Sequence, residues 1–210
     1  MNQKNGQNSL GLDNCFGDEA NPIVLFKKWF AVAEKSEIND PNALSLATST
    51  SKGIPSVRMV LLKGYSDKGF IFYTNFNSKK GSDLKTNPNA SMCFHWKSLR
   101  RQIRISGKVN VVDDKVADNY YNSRAYRSRI GAWASSQSSV MKNRKELIEK
   151  FNEFEKKYPD QKNVPRPPHW SGWNLKPDQI EFSLEIKNRN HERLNYKKKN
   201  NKWEREILYP

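Results

Sequence analysis

Cysteine is scarce in this chain and acidic residues are outnumbered. Cys15 and Cys93 are the only two cysteines among 210 residues. They form no CxxC and cannot build a disulfide framework. Three scattered histidines offer no metal-ligand spacing, so no metal is expected. No apolar run approaches the roughly 20 residues that cross a bilayer. The first twenty residues, MNQKNGQNSLGLDNCFGDEA, contain no apolar core and do not read as a secretory signal. A reduced, cytoplasmic chain is expected, with no membrane partner. Ten Gly and ten Pro exclude collagen-like and low-complexity architectures. GxGxxG, GxxxxGK[ST], GxSxG and HExxH are all missing.

What is present supports one domain with a real core. Hydrophobic residues make up 36% and aromatics 11%, with six Trp. Lys and Arg number 37 against 22 Asp and Glu, a formal charge of +15. Because the charge is spread along the chain, most of it reads as solvated surface. The sharper reading is an anionic partner, either nucleic acid or a phosphorylated small molecule. The one dense basic run, KKKNNK at 197–202, sits between strand-like segments. It reads as a solvated hairpin turn rather than a nucleic-acid patch. Cys93, in SMCFHW, reads as a buried, protonated thiol, not a nucleophile.

Residues 1–20 are polar and aperiodic and read as a flexible arm, leaving 21–210 as a single domain. Asn21-Pro22 caps an amphipathic helix running to about residue 36. Strands are expected at 43–50, 56–63 and 70–75, then a Ser-capped helix over 78–87 stopped by Pro88. A second strand pair covers 90–96 and 102–112. In the latter, Ile103, Ile105, Val109 and Val111 alternate with Gln102, Arg104, Ser106, Lys108 and Asn110. Helices follow to about 123, over 128–133 and over 139–157, then a Pro-rich loop at 163–168. Strands at 180–186, 192–196 and 203–208 end the chain. This order predicts an α+β fold around an antiparallel barrel.

The chemistry-bearing residues are polar groups set into strands and helix ends. Arg58 and Lys63 bracket an apolar strand, and Tyr73-Thr74 end the next. Ser78-Lys79-Lys80 open a helix, where backbone N–H groups and cations favour an anion. Gln102 and Arg104 lie on the polar face of the long strand. Together these form a candidate phosphate cluster on a sheet, although each lysine alone would read as solvated.

In their order, RMVLLKG, GFIFYTN, SKKG, NPNASMCFHW, RQIRISG, YYNSRAYRSRIGAWASSQSS, RPPHWSGW and RNHER closely resemble the pyridoxamine 5′-phosphate oxidase family over residues 21–210. That resemblance implies a split antiparallel β-barrel of the FMN-binding type with flanking helices, a homodimer, and FMN in the interface. It implies oxidation of pyridoxamine or pyridoxine 5′-phosphate by O2 to pyridoxal 5′-phosphate, releasing H2O2. Arg58, Met59, Val60, Leu61, Leu62, Lys63, Tyr73, Thr74, Lys79, Lys80, Gln102, Gln137, Ser138, Ser183 and Arg193 fall at cofactor positions. Lys63, Tyr120, Arg124 and Ser128 would hold the substrate phosphate. Arg189, Asn190 and His191 would meet its ring, with Arg189 and His191 nearest the chemistry. Two-residue spacing on a strand would set Arg189, His191 and Arg193 in one cationic row.

Some positions depart from the family pattern. Lys79 stands where Arg is common and Ser183 where a Trp is usual, and Ile207 replaces a cation near the C-terminus. The N-terminal segment lacks the usual Arg-x-x-Tyr. The alternative is a split-barrel flavin carrier or reductase acting on another substrate; a second phosphate site argues against it. An RNA-binding module has only the charge in its favour, and no RNP-type motif supports it.

Overall fold

The computed structural model describes residues 6–210. Helix α1 (Pro22–Ser36) starts as expected: the Asn21 side chain accepts from Ile23 N–H, and Pro22 occupies the first turn. Then come β1 (Ala43–Ser49), β2 (Pro55–Leu61), β3 (Gly64–Ser66), β4 (Gly69–Asn75), α2 (Lys79–Thr86), β5 (Asn89–Trp96) and β6 (Arg101–Val111). Three helices follow, α3 (Asp114–Ser123), α4 (Tyr126–Ala134) and α5 (Arg144–Lys157), before β7 (Trp170–Leu184), β8 (Glu192–Lys199) and β9 (Lys202–Leu208). All pairings are antiparallel, in the order β2-β1-β5-β6-β7-β4-β3, with β8 and β9 continuing from β7. The sheet curls into a half-barrel of the expected α+β, split-barrel class.

β7 decides this shape. It pairs with β6 along most of its length, but its other edge changes partner. Residues 170–175 pair with β4 and residues 179–184 with β8. The change falls around Pro177, which has no N–H to give a ladder. Opposite it, the β6 register slips between Ser106 and Gly107. A side chain at Gly107 would run into the Lys176 carbonyl, so only glycine fits. The expected strand at 180–186 therefore begins ten residues early. Gly172, Pro177 and Asp178 hide it from propensity, and pairing on both edges overrides them.

The core fills the half-barrel. Ile103 and Ile105 are fully buried while Arg104 faces out, as the alternation predicts. Phe26 of α1 packs within 4.9–5.6 Å, centroid to centroid, of Phe30, Tyr65, Phe70 and Phe94. Each fully buried Phe among them, Phe26, Phe70 and Phe94, contributes about 1.5–3 kcal/mol by leaving water.

Three expectations are corrected. Residues 6–20 do not form a free arm: Phe16 is fully buried against Trp29, and Cys15 lies in this packed segment. Residues 1–5 lie outside the described region. Helix α5 starts at Arg144, capped by Asn143, not at 139. The 192–196 strand runs on to Lys199, and the KKKNNK segment forms the hairpin turn. Asn200 and Asn201 sit at positive φ; Lys197 and Lys199 pair with Glu206 and Glu204. Among the described residues, no helix is long and apolar enough to cross a membrane.

Candidate functional site

A cavity of about 680 Å³ opens where β2, β4, α2, α3 and α4 meet. Met59, Val60, Leu61 and Lys63 line one side, and Tyr73 and Thr74 come from the end of β4. Lys80, Gln137, Tyr120, Arg124 and Ser128 complete the polar wall. The sequence scatters these groups over about 80 positions. They meet because β4 feeds directly into α2, and because α3 packs against β7, which pairs with β4.

Lys80 is the electrostatic centre. It is 7% exposed, and its Nζ lies 3.1 Å from Thr74 Oγ1, 3.3 Å from Gln137 Oε1 and 3.4 Å from Ser78 Oγ. No carboxylate among the described residues pairs with it. Burial, and then Arg58 nearby, push its pKa below the usual lysine value. A buried ammonium held by three neutral oxygens lacks an anion. Ser78 caps α2, whose N-terminal N–H groups add positive potential.

A second cation stands against an aromatic wall. Tyr73, Tyr120 and Trp170 stack, with Tyr73–Tyr120 centroids 4.0 Å apart and Tyr73–Trp170 5.3 Å apart. The Arg124 guanidinium lies 4.8 Å over Trp170, and its Nη1 is buried without a partner. Burial lowers its pKa. It too has no carboxylate partner among the described residues. Tyr120, Arg124 and Ser128 follow at four-residue steps across the α3–α4 junction and reach the same cavity.

A smaller cavity, about 360 Å³, is lined by Gln102, Arg104, Glu181, Ser183, His191 and Arg193, with His95, Arg100, Arg101 and Pro210. Glu181 organises it. Burial would raise this carboxyl's pKa, but hydrogen bonds from Arg193 and Arg104 hold it below the usual range. Arg193 Nε donates to it across 2.9 Å, and Ser183 Oγ across 3.1 Å. Arg104 pairs with its other oxygen.

Several expected positions lie elsewhere. Leu62 is core. Arg58 points away from Met59 and binds Leu46 O, Thr48 Oγ1 and Ser56 Oγ. Lys79 pairs with buried Asp83, one helical turn on. Ser138 and Asn190 line neither cavity. The row expected from Arg189 through His191 to Arg193 is corrected: β8 begins only at Glu192. Arg189 sits in a short 3-10 turn with φ 61°, outside the strand's alternation, and lines neither cavity. The His191 Nδ1 accepts from Ile186 N–H at 3.2 Å. Sequence reading passed over Asp83, Glu181 and Trp170. The first two were findable, since Asp83 is four residues past Lys79 and Glu181 is two before Ser183 on the same strand face. Burial raises the Cys93 pKa, as expected for an inert thiol, and pushes Cys15 up to about 12.

A family model described as "Pyridoxamine 5'-phosphate oxidase" matches residues 32–158, and one described as "Pyridoxine 5'-phosphate oxidase C-terminal dimerisation region" matches residues 170–210. The chain belongs to the pyridoxamine 5′-phosphate oxidase family. It is an enzyme of that oxidoreductase family. A pyridoxine/pyridoxamine 5′-phosphate oxidase of Pelagibacter ubique is 58% identical over 211 residues, covering 100% of both chains. One from Agrobacterium fabrum is 48% identical over 93% of this chain and 95% of its own. Among solved structures, PhzG from Burkholderia lata in complex with tetrahydrophenazine-1-carboxylic acid superposes with TM-score 0.88. It has 31% identity over 98% of this chain and 100% of its own. A pyridoxamine 5′-phosphate oxidase-related, FMN binding protein from Nostoc punctiforme shares the fold. Its TM-score is 0.71 at 20% identity, over 92% and 100% of the two chains. The second model places a dimerisation region at the C-terminal end.

Proposed function

We propose that this chain is a homodimeric, FMN-dependent oxidase. Pyridoxamine 5′-phosphate, dioxygen and water give pyridoxal 5′-phosphate, ammonia and hydrogen peroxide; pyridoxine 5′-phosphate gives the same aldehyde and peroxide without ammonia. The observation that carries this reading is a pair of cations in one cavity, buried Lys80 and half-buried Arg124, neither paired with a carboxylate among the described residues. One phosphate-bearing ligand needs one such centre. Two centres in a cavity with an aromatic wall suit a phosphorylated cofactor beside a phosphorylated substrate.

The residues fit FMN. Lys80, Thr74, Gln137 and the start of α2 would hold its phosphate, with Met59, Val60 and Leu61 as an apolar backing. Bound FMN supplies the two-electron redox chemistry. Arg124, Ser128, Tyr120 and Lys63 would anchor the substrate phosphate. Gln102, Ser183 and Arg193 would meet the cofactor from the other cavity; His191 in its wall, and Arg189 in the turn just before it, would orient the substrate ring.

That last assignment requires a second copy. Tyr73 pairs with Gly172 and Gln102 with Ser183. The two half-sites thus lie eleven β7 positions apart, roughly 35 Å along the strand at about 3.3 Å per residue. No single small ligand reaches both within one chain. A two-fold partner would bring its second half-site to the first of this chain. Edge strand β2 supports such a partner, because Val57, Met59 and Leu61 form an exposed apolar row there.

The test is the visible spectrum of the purified or FMN-reconstituted protein, with pyridoxal 5′-phosphate formation and O2 uptake in the same sample. Flavin bands with stoichiometric aldehyde are expected. Flavin without turnover of either B6 phosphate would favour a flavin carrier, and absence of flavin binding would overturn the reading.

A further inference from the structure

The N-terminal segment, although polar and aperiodic, is built and docked. Asn8 organises it: Oδ1 accepts from Leu10 and Leu12 N–H, and Nδ2 donates to Gly17 O. Asp13 Oδ1 caps the short 3-10 turn at Asn14–Phe16 by accepting from Cys15 N–H. Two core side chains clamp the segment, Trp29 donating to Cys15 O and Tyr196 to Glu19 O. Its middle reaches the smaller half-site. Leu12, 6% exposed, lines a cavity with His191 and Arg193. Asp13 N–H donates to Glu192 Oε2 at 2.7 Å.

Glu192 directly follows His191 and opens β8. The turn before it has little support of its own. Residues 187–190 are exposed, and Asn188 and Arg189 both take left-handed φ values of 60° and 61°. Non-glycine residues keep such conformations only where the surroundings hold them. Within the turn, the Ile186–His191 bond closes one side. The tie from the far side is the charge-assisted bond between Asp13 and Glu192, which spans 179 positions.

We infer that Glu192 is a positioning residue: by accepting the Asp13 N–H it fixes the 187–191 turn, and the N-terminal segment is the strut that holds Arg189 and His191 in place. This rests on the proposed role of those two residues in orienting substrate.

Asp13 allows a clean test. Its φ is −51°, close to what proline imposes. Asp13→Pro removes the N–H and the side-chain cap; Asp13→Ala removes the cap alone. Amide hydrogen exchange at residues 187–191 and kcat/KM for pyridoxamine 5′-phosphate are measured on FMN-loaded protein. Asp13→Pro and Glu192→Ala should speed exchange about tenfold or more and lower kcat/KM about tenfold, with FMN retained. Asp13→Ala should stay near wild type, and Glu192→Gln, which keeps an acceptor, should recover most of the loss. If Asp13→Pro misfolds, the Glu192→Ala and Glu192→Gln pair decides the question. Equal exchange and kinetics within each pair would overturn the strut. Faster exchange in Asp13→Pro and Glu192→Ala, on a wild type that turns over no B6 phosphate, would support the strut and overturn only the functional reading.

Discussion

Gly107 faces Pro177 across β6 and β7, at the point where β7 leaves β4 and takes up β8. One residue gives the backbone room to close, and the other withholds an N–H that would extend the first pairing. The two cavities are set apart by this junction. Gly107→Ala would push a Cβ into the Lys176 carbonyl, which cannot swing away as a side chain can. The expected cost is about 1–3 kcal/mol. At about 2–4 °C per kcal/mol for a chain this size, the melting temperature should fall by about 2–12 °C. Calorimetry checks it, and an unchanged midpoint would show that the junction tolerates a side chain.

Lys80→Met should weaken FMN binding about 10- to 150-fold, the worth of a charge-assisted hydrogen bond. Lys79→Met should do much less, because Lys79 is half exposed and already paired with Asp83. Flavin fluorescence quenching on titrating apoprotein gives both dissociation constants. Equal losses would mean that the two lysines share the anion.

The same lysine predicts a pH dependence. Its pKa lies below the ordinary value before the anion binds. The cation that attracts phosphate is fully present below that lowered pKa and is lost as pH rises through it. FMN affinity should therefore fall on the alkaline side earlier than an ordinary lysine would allow. Lys80→Arg stays charged and should move the decline to higher pH, measured by the same titration across pH.

Arg124→Ala should raise KM for phosphorylated substrate about 10- to 150-fold while FMN content stays near wild type. The stacked Tyr73, Tyr120 and Trp170 wall keeps its own packing without it. If the variant loses flavin and keeps its KM, the two phosphate centres have been assigned the wrong way round.

Met59→Asp places a charge in the apolar row of β2. Met59 is 63% exposed in the single chain, so the fold should survive. Light scattering should report a single-chain mass, with FMN binding lost alongside. A dimer that retains flavin would place the interface elsewhere.

Local chemistry settles much of this molecule. The Asn21-Pro22 start of α1, the Ser78 cap and the alternation of β6 each follow from hydrogen bonds or burial within a few residues. The order of short motifs along the chain carried the family, and the sequence alone set Lys80 beside a helix start. Tertiary structure decided what depends on distant partners. The first ten residues of β7 carry no strand signal of their own, yet they pair with β4 over 170–175 and with β6 from 173 on. Residues 6–20 carry no apolar period, yet Phe16, Asn8 and the Asp13–Glu192 bond fix them in place. Arg189 left its expected row because the turn before β8 takes left-handed φ values that strand periodicity does not foresee. Gln137 reaches Lys80 across 57 positions, and Glu181 gathers Arg104 from 77 positions away. A periodic pattern reports which face of an element is buried; it does not report which other element covers that face, because the covering contacts form only when the chain closes on itself.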